Sequence, residues 1–80
     1  MKLNVYTLKG VIYEGEIHSL NVMTKSGEIT ILDHHRPIVS ILKEGEIRFI
    51  DMDKHSQKIV IKGGFLEMGP KNVVNILANS

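Results

Sequence analysis

Apolar and polar residues alternate with a period of two along much of this chain. In the first run, Leu3, Val5 and Thr7 are separated by Asn4 and Tyr6. Alternation of this kind, with β-branched and aromatic residues enriched, predicts half-buried β-strands. The same pattern, or a short β-branched run, recurs in five later segments, which are residues 20–22, 29–31, 47–49, 59–61 and 73–77.

No long helix is predicted, because no stretch keeps apolar residues at i, i+3, i+4 and i+7 with a cap at each end. The best candidate for a helix, Ile38 to Glu44, is short and rich in β-branched residues. Short strands divided by turns favour an all-β sandwich or barrel. Glycines separate the apolar runs and are interpreted as turn residues, at Gly10, Gly15, Gly27, Gly45, Gly63, Gly64 and Gly69.

The triplet Gly-Glu-Ile begins at Gly15, Gly27 and Gly45. Because the spacings are unequal, we interpret each triplet as a turn glycine, a solvated glutamate and the first core residue of a strand, and not as a repeat. Residues 69–72, Gly-Pro-Lys-Asn, predict a hairpin turn with Asn72 in the left-handed conformation. The pair at 63–64 predicts a close approach or a bulge between strands.

Length and charge narrow the possible functions. The chain has 80 residues and a formal net charge of +1, so one domain over residues 1–80 is predicted, with no general attraction to DNA or acidic lipid. The absence of cysteine excludes disulfides and thiolate zinc sites. No apolar run reaches the roughly 18 residues of a membrane span, so we expect a cytoplasmic protein whose membrane association comes through a partner.

The sequence contains no phosphate-binding loop, and no cofactor or metal is predicted. The histidines lack the spacing of a metal site, and the neighbours His34 and His35 point to opposite sides of an extended chain. Asp33, His34 and Ser40 have the residue types of a hydrolytic triad, but a triad is defined by the geometry of its members and not by residue type. A β-domain with hydrolytic activity near Asp33 and His35 is therefore a weaker hypothesis.

Binding of single-stranded nucleic acid by a small β-barrel is the main alternative function. Such barrels stack bases on aromatic side chains along a basic groove. Here the aromatic residues are only Tyr6, Tyr13, Phe49 and Phe65, and the lysines between 54 and 71 are interleaved with acidic residues. Mixed charge of this kind is typical of a solvated surface, which makes this alternative the weaker one.

The stretch from Gly27 to Pro37 resembles the hallmark of the epsilon subunits of rotary F-type ATP synthases. The positions that match this hallmark are Gly27, Glu28, Ile29, Ile31, Leu32, His35, Pro37 and Ile38. Further segments are similar to motifs of the family in the same order, and these are residues 5–7, 10–15, 42–48, 63–68 and 72–78. The resemblance therefore covers nearly the whole chain.

The chain departs from the hallmark at a few positions. Thr30 stands where the family has glycine, which indicates that this backbone does not need a positive φ or tolerates strain. Asp33 stands where the family has proline, and a looser turn follows because aspartate does not fix φ. His34 and Arg36 occupy variable positions, and Asn79 replaces an aspartate.

The resemblance implies a flattened β-sandwich of two roughly five-stranded sheets that performs no chemistry and needs no cofactor. It implies a central-stalk subunit of a proton- or sodium-translocating ATP synthase, with the gamma subunit and the c-ring as partners. Such a subunit lies peripherally at the cytoplasmic face of the membrane and couples ring rotation to ATP synthesis. A C-terminal helical hairpin is typical of the family; this sequence is expected to stop before it, so the hairpin's inhibitory role is not transferred.

The resemblance also implies contact residues for each partner. Those that match the loops facing the c-ring are Thr7, Glu28 and His35. His35 has a second expected role, in which its ring bonds to the turn backbone before Pro37. Contacts with the gamma subunit are expected at Ile12, Tyr13, Arg36, Val39, Ser40 and Ile41.

Overall fold

The computed structural model describes residues 1–79, which form strands and short turns. The strands are β1 (Lys2–Thr7), β2 (Gly10–Thr24), β3 (Gly27–Leu32), β4 (Ile38–Leu42), β5 (Gly45–Asp51), β6 (Ser56–Ile61), β7 (Gly64–Met68) and β8 (Val73–Ala78). Every strand predicted from the alternation is present, and the segment weighed as a helix is β4. Within residues 1–79, no helix has the length and apolar character needed to cross a membrane.

The strands form two packed layers that are joined through β2. In the first layer, the opening half of β2 pairs with β1, and the order continues through β8 and β7 to β4. In the second layer, β3 pairs with the closing half of β2, which pairs with β5, and β5 pairs with β6. The predicted all-β sandwich is thus confirmed, with five strand segments in the first layer and four in the second.

Strand β2 passes from one layer to the other at a bulge near His18. Tyr13 and Ile17 face the core before the bulge, and Leu20 and Val22 face it afterwards. The register of pairing with β5 shifts within the same few residues. Because side chains alternate strictly along an unbroken strand, an extra residue is needed for the inward side to change from odd to even positions. One long strand therefore serves both layers.

The core lies between the two layers and is almost entirely apolar. Removing a leucine or isoleucine side chain of this kind from water contributes about 1.5–3 kcal/mol. The side chains at the inward positions of both layers form this core. The two layers are therefore held together by the inward side chains and not by those of the outward faces. The buried apolar residues are Met1, Leu3, Val5, Ile17, Leu20, Val22, Ile31, Leu42, Ile47, Phe49, Ile61, Leu66, Met68, Val74, Ile76 and Ala78.

The turns test the predictions made for glycine and asparagine. Gly27 and Asn72 have the predicted positive φ, at 127° and 61°. The prediction for Gly15 is wrong, since it lies inside β2, where the hydroxyl of Tyr13 would be 2.9 Å from a Cβ at that position. At Gly64 the predicted close approach is present, because a side chain there would collide with the backbone of β8.

Candidate partner-binding surfaces

A continuous row of apolar side chains crosses the outward face of the first layer. The register aligns Val11 with Tyr6, Tyr6 with Leu77, Leu77 with Phe65 and Phe65 with Ile41. Val11, Leu77, Phe65 and Ile41 are 56%, 62%, 44% and 54% exposed. We call these five residues the apolar row. Contiguous exposed apolar surface of this kind marks a site where another protein docks.

A second row lies beside it, one step towards the other end of the strands, and it is mostly polar. The register aligns Glu14 with Asn4, Asn4 with Asn75, Asn75 with Glu67 and Glu67 with Val39. Asn4 Nδ2 donates to Asn75 Oδ1 at 3.0 Å, and Asn75 Nδ2 donates to Glu67 Oε1 at 3.2 Å. We call these five residues the polar row, and the two rows together the first outer face.

Some of the residues expected to contact a gamma subunit lie on the first outer face. Val39 and Ile41 are 63% and 54% exposed on β4, and Ile12 is 47% exposed on β2 at the opposite margin of the layer. The structure joins these margins through Phe65 and Leu77, which the sequence analysis did not single out. Their signal in the sequence was an apolar residue at the outward position of an alternating strand.

Other expected gamma contacts lie elsewhere. The ring of Tyr13 packs inward against Phe49, with 4.5 Å between the ring centroids, and burial raises the pKa of its phenol. Ser40 shares the inward parity of Leu42 on β4. Arg36 is exposed in the loop that leads into β4. The geometry therefore supports a face centred on outward positions of the first layer.

The outward face of the second layer, here called the second outer face, carries paired polar groups. Asn21 donates to Thr30 Oγ1 at 3.0 Å. Arg48 donates to Glu46 Oε1 at 2.8 Å, and Lys58 Nζ lies 3.3 Å from Glu46 Oε2. Arg48 and Lys58 hold the pKa of the Glu46 carboxyl below its ordinary value. Thr30 lies in regular strand β3 without a positive φ, which decides between the two alternatives in favour of a backbone that does not need one.

The residues expected to face a c-ring lie in two different places. Thr7 borders a groove of about 370 Å³ with Asn79, and Asn79 borders a cleft of about 450 Å³ with Glu44. Glu44 in turn lines a shallow pocket with Glu28, so Thr7 and Glu28 belong to one edge of the domain. We call it the turn edge.

His35 lies beyond the other end of β3 from Glu28. Leu32, where β3 ends, is four positions after Glu28 and about 13 Å from it, since a strand rises about 3.3 Å per residue, and His35 lies in the turn that follows Leu32. The Nδ1–H of His35 donates to the carbonyl of Arg36 at 2.8 Å, which confirms its expected bond to the turn backbone. The structure therefore does not bring His35 together with Thr7 and Glu28.

The loop after β3 also answers the hydrolase hypothesis. Asp33 Oδ1 accepts hydrogen bonds from the amino group of Met1 at 2.6 Å and from Asn72 Nδ2 at 3.3 Å. These bonds lower the pKa of the Asp33 carboxyl, and His35 is committed to a backbone carbonyl. Asp33 and His35 thus hold the loop in place by separate contacts, and the arrangement of a catalytic triad is not formed by them.

A third group of side chains lies in the turn between β5 and β6. The ligand-type atoms of Asp51, Asp53 and His55 are all within 4.8 Å of one another. Asp51 Oδ1 accepts the backbone N–H groups of Asp53 and His55, both at 2.9 Å, and Oδ2 accepts from Gln57 at 2.8 Å. This carboxylate therefore closes a turn with its own neighbours.

The two-layer fold and its unequal outer faces define a class, namely a small all-β sandwich with a surface suited to docking. The sequence profile described as "ATP synthase, Delta/Epsilon chain, beta-sandwich domain" matches residues 1–80. The chain belongs to this family. Nothing in the comparisons supports the nucleic-acid alternative.

Similar proteins are described as ATP synthase epsilon chains. The chain is 34% identical over 82 residues to the ATP synthase epsilon chain of Lacticaseibacillus casei, covering 100% of this chain and 57% of that protein. It is 35% identical over 80 residues to the ATP synthase epsilon chain of Bacillus subtilis, covering 100% of this chain and 59% of that protein. The chain thus spans a little over half the length of these relatives.

Two solved structures share the fold. A chain in the mitochondrial ATP synthase of Euglena gracilis matches 98% of this chain with a TM-score of 0.91 at 23% identity, over 49% of its own length. A chain in the central stalk and c-ring of Tetrahymena thermophila ATP synthase matches all of this chain with a TM-score of 0.81 at 14% identity, over 63% of its length. At these identities the likeness establishes the sandwich alone.

Proposed function

We propose that this chain forms the β-sandwich of a non-catalytic central-stalk subunit in a proton- or sodium-translocating ATP synthase. In that place it couples rotation of the c-ring to ATP synthesis and lies peripherally at the cytoplasmic side of the membrane. Membership of the delta/epsilon family supports the assembly. The exposed apolar row supports the mode of action, because a subunit that transmits force needs a docking surface and not a reaction centre.

The gamma subunit docks on the first outer face in this proposal. Ile12, Val39 and Ile41, together with Phe65 and Leu77, supply apolar contact area on four of the five strands of the first layer. Arg36 borders the same layer at the start of β4 and supplies a polar contact at the rim. Apolar centres with polar rims are the usual anatomy of protein interfaces. Tyr13 and Ser40 point inward, so in this proposal they support the docking face by packing beneath it and do not contact the gamma subunit.

The turn edge faces the c-ring in the same proposal. Thr7 and Glu28 are both available there, and Glu28 is exposed beside the β2–β3 turn. His35 acts indirectly, because its bond to the Arg36 carbonyl holds the loop that leads into β4. A closely packed sandwich is stiff, since protein interiors have low compressibility. The domain therefore transmits torque from one surface to the other without deforming.

A matched pair of valines tests the docking face. Val39 is 63% exposed on the first outer face, and Val60 is 71% exposed on the second. We expect Val39→Asp to weaken binding to the purified gamma subunit at least about tenfold, which corresponds to 1.4 kcal/mol, because a charge would be buried at the interface beside the carboxylate of Glu67. Val60→Asp should leave the Kd unchanged. Isothermal titration calorimetry gives both values, and circular dichroism checks that each variant is folded.

Two results would contradict the proposal. A wild-type chain that shows no binding to the gamma subunit, alone or in the assembled stalk, removes the central-stalk assignment. Equal losses of affinity for Val39→Asp and Val60→Asp would place the contact somewhere other than the first outer face.

A further inference from the structure

The polar row contains a buried oxygen that has no hydrogen-bond donor among residues 1–79. Asn4 is only 7% exposed, and its side-chain carbonyl Oδ1 is the atom without a partner. An acceptor left in this state costs about 1–3 kcal/mol relative to one that is bonded. A partner that donates a hydrogen bond to this oxygen on docking would remove the cost.

The direction of the hydrogen bonds explains why this oxygen is left over. The carboxylate of Glu67 can only accept, so Asn75 must turn its NH₂ towards Glu67 and its oxygen towards Asn4. Asn4 must then donate its own NH₂ to Asn75, which leaves Oδ1 on the side of β2. Turning the Asn4 amide round would set two oxygens against each other. The acceptor is therefore fixed by Glu67, two strands away.

The oxygen belongs to an outward-facing side chain and has a carboxylate as its cross-strand neighbour. Asn4 lies on the outward side of β1, since Leu3 and Val5 on either side are in the core. Glu14 is directly opposite it on β2 and is exposed. Within residues 1–79, neither Glu14 nor Glu67 has a recorded salt bridge. The polar row thus offers carboxylates at two of its positions and an unbonded acceptor between them.

No strand within the described residues, 1–79, covers this site. The outward neighbours of Asn4 are Lys2 and Tyr6 on its own strand and Glu14 and Asn75 beside it, as the register requires. Lys2 and Glu14 are exposed side chains, and within residues 1–79 no salt bridge holds either of them in place. A docking partner can therefore displace them and reach Oδ1.

We propose that the partner bound on the first outer face inserts an arginine side chain between Asn4 and Glu14, where its guanidinium donates to Asn4 Oδ1 and to the Glu14 carboxylate. The inference rests on the proposed function, and it adds the chemistry by which the partner is recognised. A guanidinium fits because it has several N–H donors in a planar fork and no acceptor. The neighbouring apolar row excludes water, which makes such a charged hydrogen bond stronger and more specific.

Two asparagines provide a matched test. Asn4→Leu removes the acceptor on the first outer face, and Asn21→Leu removes a paired asparagine on the second outer face. Each folded variant is titrated with the purified gamma subunit. We expect Asn4→Leu to raise the Kd for that subunit at least about tenfold. Asn21→Leu should stay within about twofold of the wild type. Equal Kd values for Asn4→Leu and wild type would overturn the proposal.

A second variant is independent of any packing change at Asn4. Glu14→Gln alters only an exposed side chain, and we expect it to weaken binding and to reduce the dependence of the Kd on salt. In the double variant the two losses should be less than additive, because one guanidinium serves both acceptors. Additive losses, or an unchanged salt dependence, would contradict a shared arginine.

The outcomes separate this inference from the proposed function. If Val39→Asp abolishes binding while Asn4→Leu and Glu14→Gln do not affect it, the docking face stands and the arginine contact is wrong. If the wild-type chain does not bind the gamma subunit at all, both proposals fail together.

Discussion

The two outer faces of the sandwich are built on the same alternation but carry different side chains. On the first outer face, Leu77 and Phe65 are exposed apolar neighbours, and the buried side-chain oxygen of Asn4 has no donor among residues 1–79. On the second outer face, Glu46 is paired with both Arg48 and Lys58. The polar groups of the second face are thus paired within the domain, whereas the first face exposes a row of apolar side chains and a buried acceptor with no donor among residues 1–79.

The scattered apolar residues of the second outer face do not weaken this contrast. Val60 lies on the edge strand β6, Leu32 ends β3, and Met23 stands beside Glu28 near the turn edge. They do not form a row across the layer. Single exposed apolar residues are normal on soluble proteins, whereas a contiguous row is not.

The largest expected effect is on the free energy of unfolding. It compares two adjacent residues, one in the core and one on the first outer face. Ile76 has no exposed surface, and Leu77 is 62% exposed. We expect Ile76→Ala to lower the free energy of unfolding by about 2–5 kcal/mol through the cavity it leaves, and Leu77→Ala to change it by less than about 0.5 kcal/mol. Urea denaturation of both variants measures this. Equal destabilisation would mean that Leu77 supports the fold and is not kept for a partner.

A smaller effect concerns the two ends of the second layer. Glu28 and Asp53 are both exposed, but only Glu28 lies at the turn edge. If that edge faces the c-ring, Glu28→Lys lowers ion-driven ATP synthesis by the assembled complex about fivefold, the factor that roughly 1 kcal/mol represents. Asp53→Lys should synthesise ATP at the wild-type rate. Unchanged synthesis with Glu28→Lys would remove Glu28 from the ring contact.

The smallest effect tests the ion pairs of the second outer face. The pKa of Glu46 is below its ordinary value of 4.5 because Arg48 and Lys58 stabilise the charged form. A pKa lowered by folding stabilises the protein above pH 4.5, and this contribution is lost as the pH falls through the folded-state pKa.

We therefore expect acid to lower the Tm of the wild type slightly more than that of Glu46→Gln, since the variant has no carboxyl to protonate there. Thermal melts monitored by circular dichroism across this pH range provide the comparison. Binding to the gamma subunit should be equal for the two proteins, because Glu46 lies on the second outer face. Equal losses of Tm in the two proteins would mean that the ion pairs of Glu46 do not contribute to the acid response.

Much of the fold could be predicted because strand pattern and turn chemistry are local. Asn72 illustrates this, since its left-handed turn follows from the residues next to it. The mistake at Gly15 shows the limit of the local rule. That glycine is inside β2, where the ring of Tyr13 folds across it, and no neighbouring residue in the sequence announces such a contact.

The site was predicted less completely than the fold. Val39 and Ile41 were identified because a run of apolar residues on one strand cannot all face inward. Phe65 and Leu77 were not, because each looks like an ordinary strand residue until the register sets them side by side. The separation of His35 from Glu28 likewise depends on where the ends of β3 lie.

The sequence by itself determined the class of fold, the places of most turns and the membership of the delta/epsilon family, since these depend on residue types at fixed short spacings. Only the tertiary structure decided which outward residues become neighbours. The bulge in β2 changes the inward parity, and the pairing of β1 with β8 brings Asn4 beside Asn75 across most of the chain's length. Contacts between distant strands created the two unequal faces, and no local pattern records them.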